Sequence, residues 1–191
     1  MERHISVRIA VMLAAVVGLL ALPFRAEAAP AWEVNYAVKQ DSSESPTLAR
    51  CALGLSAWHG GLNEWEAHAT ACFILAGDYM AVADGKADGH AVVMKWEFRP
   101  SEGAAVSRRG ICIYTGGSKV PYRTGTCNKD LPEKGLLRIS AGIRMVSGSE
   151  SLSDMRFGNQ VCLALNGSSA IGFNGEGCDL IWSGQYPWPW S

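Results

Sequence analysis

The sequence predicts a mainly β protein, an antiparallel β-sandwich or barrel with disulfide-closed hairpins. Glu64 to Ala71 alternates polar and apolar residues without interruption, the period of a strand that buries one face. From Tyr79 onward, short apolar or alternating runs are punctuated by Gly, Pro and Asp-Gly turn signals. Six cysteines fall into three neighbouring pairs, each centred on turn-forming residues.

The chain opens with a segment that reads as a signal peptide over residues 1–28. Arg3 and Arg8 supply its charged start, Ile9 to Leu22 its apolar run and Ala26-Glu27-Ala28 its cleavage site. The 14-residue apolar run is short for a bilayer-crossing helix, so a signal is favoured over an anchor. Residues 29–191 are then expected to form a single domain. Removing Arg3, Arg8, Arg25, Glu2 and Glu27 from 17 basic and 18 acidic residues leaves 14 against 16. Lys and Arg are scattered rather than concentrated, which argues against a nucleic-acid partner.

Trp32 to Val38 reads as a strand, and Gln40 to Ser45 as a polar loop ending at Pro46. Residues 46–76 admit two readings. Ser45 and Pro46 form a helix start, His59-Gly60-Gly61 a turn, and Asn63 with Glu66 a capping box, giving a helical hairpin and an α+β alternative. The uninterrupted alternation of residues 64–71 favours two strands, and that reading is preferred. Further strands are predicted over Tyr79 to Ala83, Ala91 to Phe98, Val106 to Tyr114, Leu136 to Val146 and Gln160 to Leu165.

A disulfide across antiparallel segments needs its cysteines about equidistant from the turn. Cys51 and Cys72 are centred on Gly60 to Leu62, Cys112 and Cys127 on Ser118 to Pro121, and Cys162 and Cys178 on Ala170. Sequential pairing 51–72, 112–127 and 162–178 follows, and an even cysteine count points to an oxidising, secreted or periplasmic location. Cys112, Gly117, Ser118 and Gly125 align with Cys162, Gly167, Ser168 and Gly175 at an offset of 50 residues, as a duplicated hairpin would.

Candidate chemistry is weak. His59, His68 and His90 with Glu64 or Glu66 could gather a metal, but they lack ligand spacing and fit the polar face of a strand, so no metal or cofactor is expected. Asp84 to Gly89 imitates the start of a calcium loop, yet Lys86 and Lys95 occupy ligand positions, and a hairpin turn accounts for it better. Asn166-Gly167-Ser168 matches a glycosylation sequon and is read as a turn. His59-Gly60-Gly61 has no accompanying nucleophile elbow, and paired cysteines offer no thiolate.

The tail is the most unusual stretch, with Trp182, Tyr186, Pro187, Trp188, Pro189 and Trp190 within nine residues. Its prolines favour extended backbone from Trp182 onward. Trp182 is expected in the core, with Tyr186, Trp188 and Trp190 as a platform for a carbohydrate or a protein partner. The expected function is therefore exported, non-enzymatic binding. The alternatives are an enzyme inhibitor presenting Gly116 to Arg123, with Lys119 exposed, and a small secreted hydrolase.

Overall fold

A computed structural model describes residues 28–40, 49–59, 64–86, 88–116, 123–167 and 169–183. Residues 1–27 of the predicted signal peptide, most of the loop carrying Lys119, and Tyr186, Trp188 and Trp190 lie outside the described residues. Eleven strands, one α-helix and a short 3-10 turn at Leu152–Asp154 are formed among the described residues. In chain order the strands and α-helix are β1 (Trp32–Tyr36), β2 (Val38–Gln40), β3 (Ala49–His59), β4 (Glu64–Ile74), β5 (Tyr79–Asp84), β6 (Ala91–Arg99), β7 (Arg108–Tyr114), β8 (Arg123–Asn128), β9 (Lys134–Arg144), β10 (Met155–Asn166), β11 (Ser169–Asn174) and α1 (Glu176–Trp182).

The strands form two sheets packed as a sandwich. One runs β1-β7-β6-β9-β10-β11 and the other β2-β8-β5-β4-β3. β1 lies parallel to β7, and after Ala37 the chain continues as β2, antiparallel to β8, so the first segment borders both sheets. Ala37 donates its N–H to Ile113 at the crossing, 2.7 Å away.

Period-2 patterning explains the layers. Val92, Met94, Trp96 and Phe98 of β6 point inward with Leu137, Ile139, Ala141 and Ile143 of β9, meeting Ala69, Ala71, Phe73, Met80 and Val82 of the second sheet. The other face of the six-stranded sheet is also covered. Val93, Ile111, Ile113 and Met155 form one outer cluster with Trp32, Val34, Leu152 and Phe157, and Leu136, Cys162 and Ala164 form another with Ile181 and Trp182. The central strands therefore read as nearly continuous apolar runs, as strands covered on both faces do. Gly110 is required where β1 crosses β7: a Cβ there would collide with the Glu33 carbonyl and sit 2.8 Å from the Trp96 indole.

Ala49–His59 and Glu64–Ile74 are two paired strands, so the helical-hairpin alternative for 46–76 is overturned over the described residues. Alanine tolerates either state, whereas Ala69 and Ala71 are buried by the period of a strand. β5 and β6 belong to different sheets, so Asp84 to Gly89 is a crossover between layers rather than a hairpin turn. It is still built from turn chemistry: Asp84 and Asp88 accept the N–H groups of Lys86 and His90, and Gly89 has φ 81°. Asn166 and Ser169 face each other across a true two-residue hairpin with Gly167 at φ 62°.

The three disulfides pair sequentially, but only one closes a hairpin. Cys51 and Cys72 stand opposite each other on β3 and β4, with Cα atoms 4.0 Å apart. Cys112 on β7 and Cys127 on β8 join the two sheets, and Cys162 on β10 secures Cys178 of α1. The duplicated-hairpin reading fails for the same reason, since β7 and β8 occupy different sheets while β10 and β11 pair within one. α1 itself went unanticipated, and Trp182 closes this helix instead of starting an extended tail. Its predicted core position is found: it is 8% exposed.

Candidate ligand pocket

β9 ends at Arg144, which stands in register with Ala91 of β6 and Met155 of β10. By alternation along β9 it falls on the outer face, beside the cluster of Val93, Ile113 and Met155. Solvent would normally bathe such a position. Here the connection from β9 to β10 folds back: Met145 donates its N–H to the Asp154 carbonyl at 2.7 Å, and the Tyr36 hydroxyl of β1 donates to Glu150 at 2.9 Å. Leu152 packs on the outer cluster from the same connection.

Beside this connection lies a cavity of about 370 Å³, lined by Gly89, His90, Thr115, Arg144, Met145 and Ser147. Arg144 is 7% exposed, and its Nε and Nη1 are buried without a hydrogen-bond partner. A buried donor left unpaired destabilises by about 1–3 kcal/mol, and by more when charged. No carboxylate lines the cavity among the described residues. The nearby acids are engaged elsewhere: Asp88 with His68 and the His90 N–H, Asp154 with the Ser149 hydroxyl, and Glu150 with Tyr36. A cationic, acid-free cavity with two hydroxyls and an imidazole on its walls can receive hydrogen-bond acceptors.

No family model, curated protein or solved structure matches this chain.

The other buried cation among the described residues, Lys129, is fully partnered. Its Nζ meets the Glu33 carboxylate at 3.2 Å, donates to Asn35 Oδ1 and sits 4.9 Å from the Trp96 ring centre. Arg108 grips the same Glu33 with Nε at 3.0 Å and Nη2 at 3.2 Å. Burial alone would raise the Glu33 pKa, but hydrogen bonds and charge from Arg108 and Lys129 outweigh it and hold the carboxyl below its ordinary value. Burial lowers the Lys129 pKa, with Glu33 opposing. This network fastens β1 to the body of the sandwich.

Two further polar groupings are structural in kind. Arg99 and Arg138 each place their guanidinium 4.1 Å from the Trp182 ring centre, and Arg99 also donates to the Trp182 carbonyl at 2.5 Å. Glu97 pairs with Arg138, so the start of the aromatic tail is anchored to β6 and β9. On the second sheet, His68 Nδ1 contacts Asp88 at 3.2 Å. Asp84 is 3% exposed, and its pKa is raised chiefly by burial.

The structure thus gathers few of the residues singled out in the sequence. Among the described residues no three His, Cys, Asp or Glu side chains come together as a metal site. His68 engages Asp88, His90 lines the cavity, and the side chains of His59, Glu64 and Glu66 lie outside the described residues. Arg144 escaped notice because its only sequence signal is a charge at the end of an alternating strand, which ordinarily marks a solvated face.

Proposed function

We propose that this chain is an exported, non-enzymatic binding protein, secreted or periplasmic, that holds a small ligand in the Arg144 cavity. The observation carrying this reading is a cavity of about 370 Å³ lined by Arg144, whose Nε and Nη1 are buried without a hydrogen-bond partner. That volume falls near the lower end of small-molecule sites, roughly 300–1,000 Å³. The frame favours recognition: one disulfide ties the two sheets together and another secures α1, so little ordering entropy is lost on binding. Three disulfides also fit an oxidising, extracellular-type compartment.

Tyr186, Trp188 and Trp190 offer a second surface, for carbohydrate or protein. The support for it is Trp182, pinned by Arg99 and Arg138 on the outer face immediately before that segment. Trp182 packs with Leu136, eight residues from Arg144 along β9, or about 26 Å at ~3.3 Å per residue. The two surfaces therefore start from opposite ends of the strand.

Thermal-shift screening of oxidised residues 29–191 tests the binding function. The panel contains neutral saccharides, small alcohols and amides, carboxylates and phosphates. At least one compound should raise Tm saturably and be recovered unchanged. A panel without any saturable shift would defeat the small-ligand reading, and turnover of a bound compound would replace it with an enzyme.

A further inference from the structure

We infer that the Arg144 cavity is an oxyanion site, taking the carboxylate or phosphate group of a metabolite-sized organic acid. This rests on the ligand-binding reading above and names the ligand's chemical class.

Three observations carry it. Arg144 is 7% exposed, yet Nε and Nη1 have no partner, whereas buried side-chain donors are ordinarily satisfied. The cavity it lines contains no acid among the described residues, and Asp88, Asp154 and Glu150 around it are each committed to other groups. The protein thus brings a positive charge under cover and supplies no counter-charge from nearby, a state that an incoming anion relieves.

Ligand shape follows from the walls. A guanidinium presents a planar fork that matches two oxygens of a carboxylate or phosphate, with bonds stronger than neutral ones. Thr115 and Ser147 add hydroxyls able to donate to the same group, and Ala91 and Met145 supply apolar surface for a carbon skeleton. A cavity of about 370 Å³ exceeds the needs of a bare ion, which favours an organic acid over inorganic phosphate as the resident ligand.

The test uses oxidised residues 29–191 with acetate, succinate, glycerol phosphate and inorganic phosphate, against glycerol and acetamide, all at matched ionic strength and about 10 mM. An oxyanion should raise Tm, with succinate or glycerol phosphate exceeding acetate or inorganic phosphate; whichever head group shifts more identifies the preferred chemistry. Arg144→Met should weaken that binding at least about tenfold, while Arg144→Lys retains part of it as a point charge. Without ligand, Arg144→Met should melt at or above the wild-type temperature, because it removes an unpaired buried charge. Saturable binding of glycerol or acetamide, unaffected by Arg144→Met and without any oxyanion response, would overturn the oxyanion assignment and leave the binding function standing. A drop of many degrees in ligand-free Arg144→Met would make the arginine structural and also overturn it. If no compound of any charge bound, both would fall.

Discussion

Lys129 and Arg144 are both buried cations, 5% and 7% exposed, and they are treated oppositely by the fold. Around Lys129 the chain assembles Glu33, Asn35 and Trp96 from sequence positions some ninety or thirty residues away, so the ammonium is neutralised within the protein. Around Arg144 it assembles a cavity, hydroxyls and no acid. A buried charge whose partner is built in contributes to architecture, and breaking such a pair leaves an uncompensated charge. A buried charge whose partner is missing is held in place by the rest of the fold, and its stabilisation must come from outside. Burial alone therefore does not tell these two cations apart; the partners at their nitrogens do.

The largest test of the contrast is the brace beside the partnered cation. Cys112–Cys127 joins the sheets two residues before Lys129 and closes a 15-residue separation. Replacing both cysteines by alanine should lower stability by about 3 kcal/mol, as the chain-entropy model gives for a loop of this size, measured by urea denaturation of the otherwise oxidised protein. An unchanged midpoint would mean that the sheets hold Lys129 in place without the link.

Glu33→Gln comes next. It removes the carboxylate shared by Lys129 and Arg108 and should cost about 2–3 kcal/mol, less than the ~3–5 of a fully buried pair because the Glu33 side chain is 35% exposed. Arg144→Met should cost nothing in the same melts. Equal losses from the two substitutions would erase the distinction between a partnered and an unpartnered cation.

Acid titration sharpens the same difference. The Glu33 pKa is held below its ordinary value of 4.5, so its contribution is fully present above that value and is lost as pH falls through the lower, folded-state pKa. The wild type should therefore lose part of its advantage over Glu33→Gln in melts taken below about pH 4. A difference that does not change with pH would show that the carboxylate's charge is not what holds Lys129.

How much of this was legible beforehand follows from the range of each interaction. Strand positions, the preference for strands over residues 46–76 and the sequential disulfides rest on local periodicity and spacing, and the sequence displays both. Which sheet a strand joins depends on partners far along the chain. The crossover after Asp84 therefore resembled a hairpin, and Cys112–Cys127 resembled a hairpin closure. β8, β11 and α1 were missed because they are short, and their order comes from pairing with strands formed elsewhere in the chain or packing on Leu136 and Cys162. The cavity was invisible for the same reason: its lining comes from Gly89 to Ala91, Thr115, Arg144, Met145 and Ser147, which only the fold brings together.

The smallest expected effect reverses the sign of the Glu33 case and concerns an anion instead of a cation. Asp84 is buried, and its pKa is raised first by that burial, with the N–H of Lys86 opposing, the charge of Asp88 adding, and the neighbouring His68 pulling it back. For a carboxyl whose folded pKa exceeds its unfolded one, the folded state holds a proton that the unfolded chain would release. Stability therefore falls as pH rises through the folded pKa, and the penalty is fully present at neutral pH. Asp84→Asn removes the charge and keeps an Oδ1 to accept the Lys86 N–H, now 3.0 Å away. It should raise stability at pH 7 by about 0.5–1 kcal/mol, the lower part of the range for single stabilising substitutions. The gain should shrink as pH is lowered toward the ordinary aspartate value of 3.8, where wild-type Asp84 holds its proton more firmly in the fold than in the unfolded chain. Chemical denaturation at several pH values measures both. A loss at neutral pH would mean that Asp84 is neutralised by His68 as securely as Lys129 is by Glu33, placing it with the partnered charges.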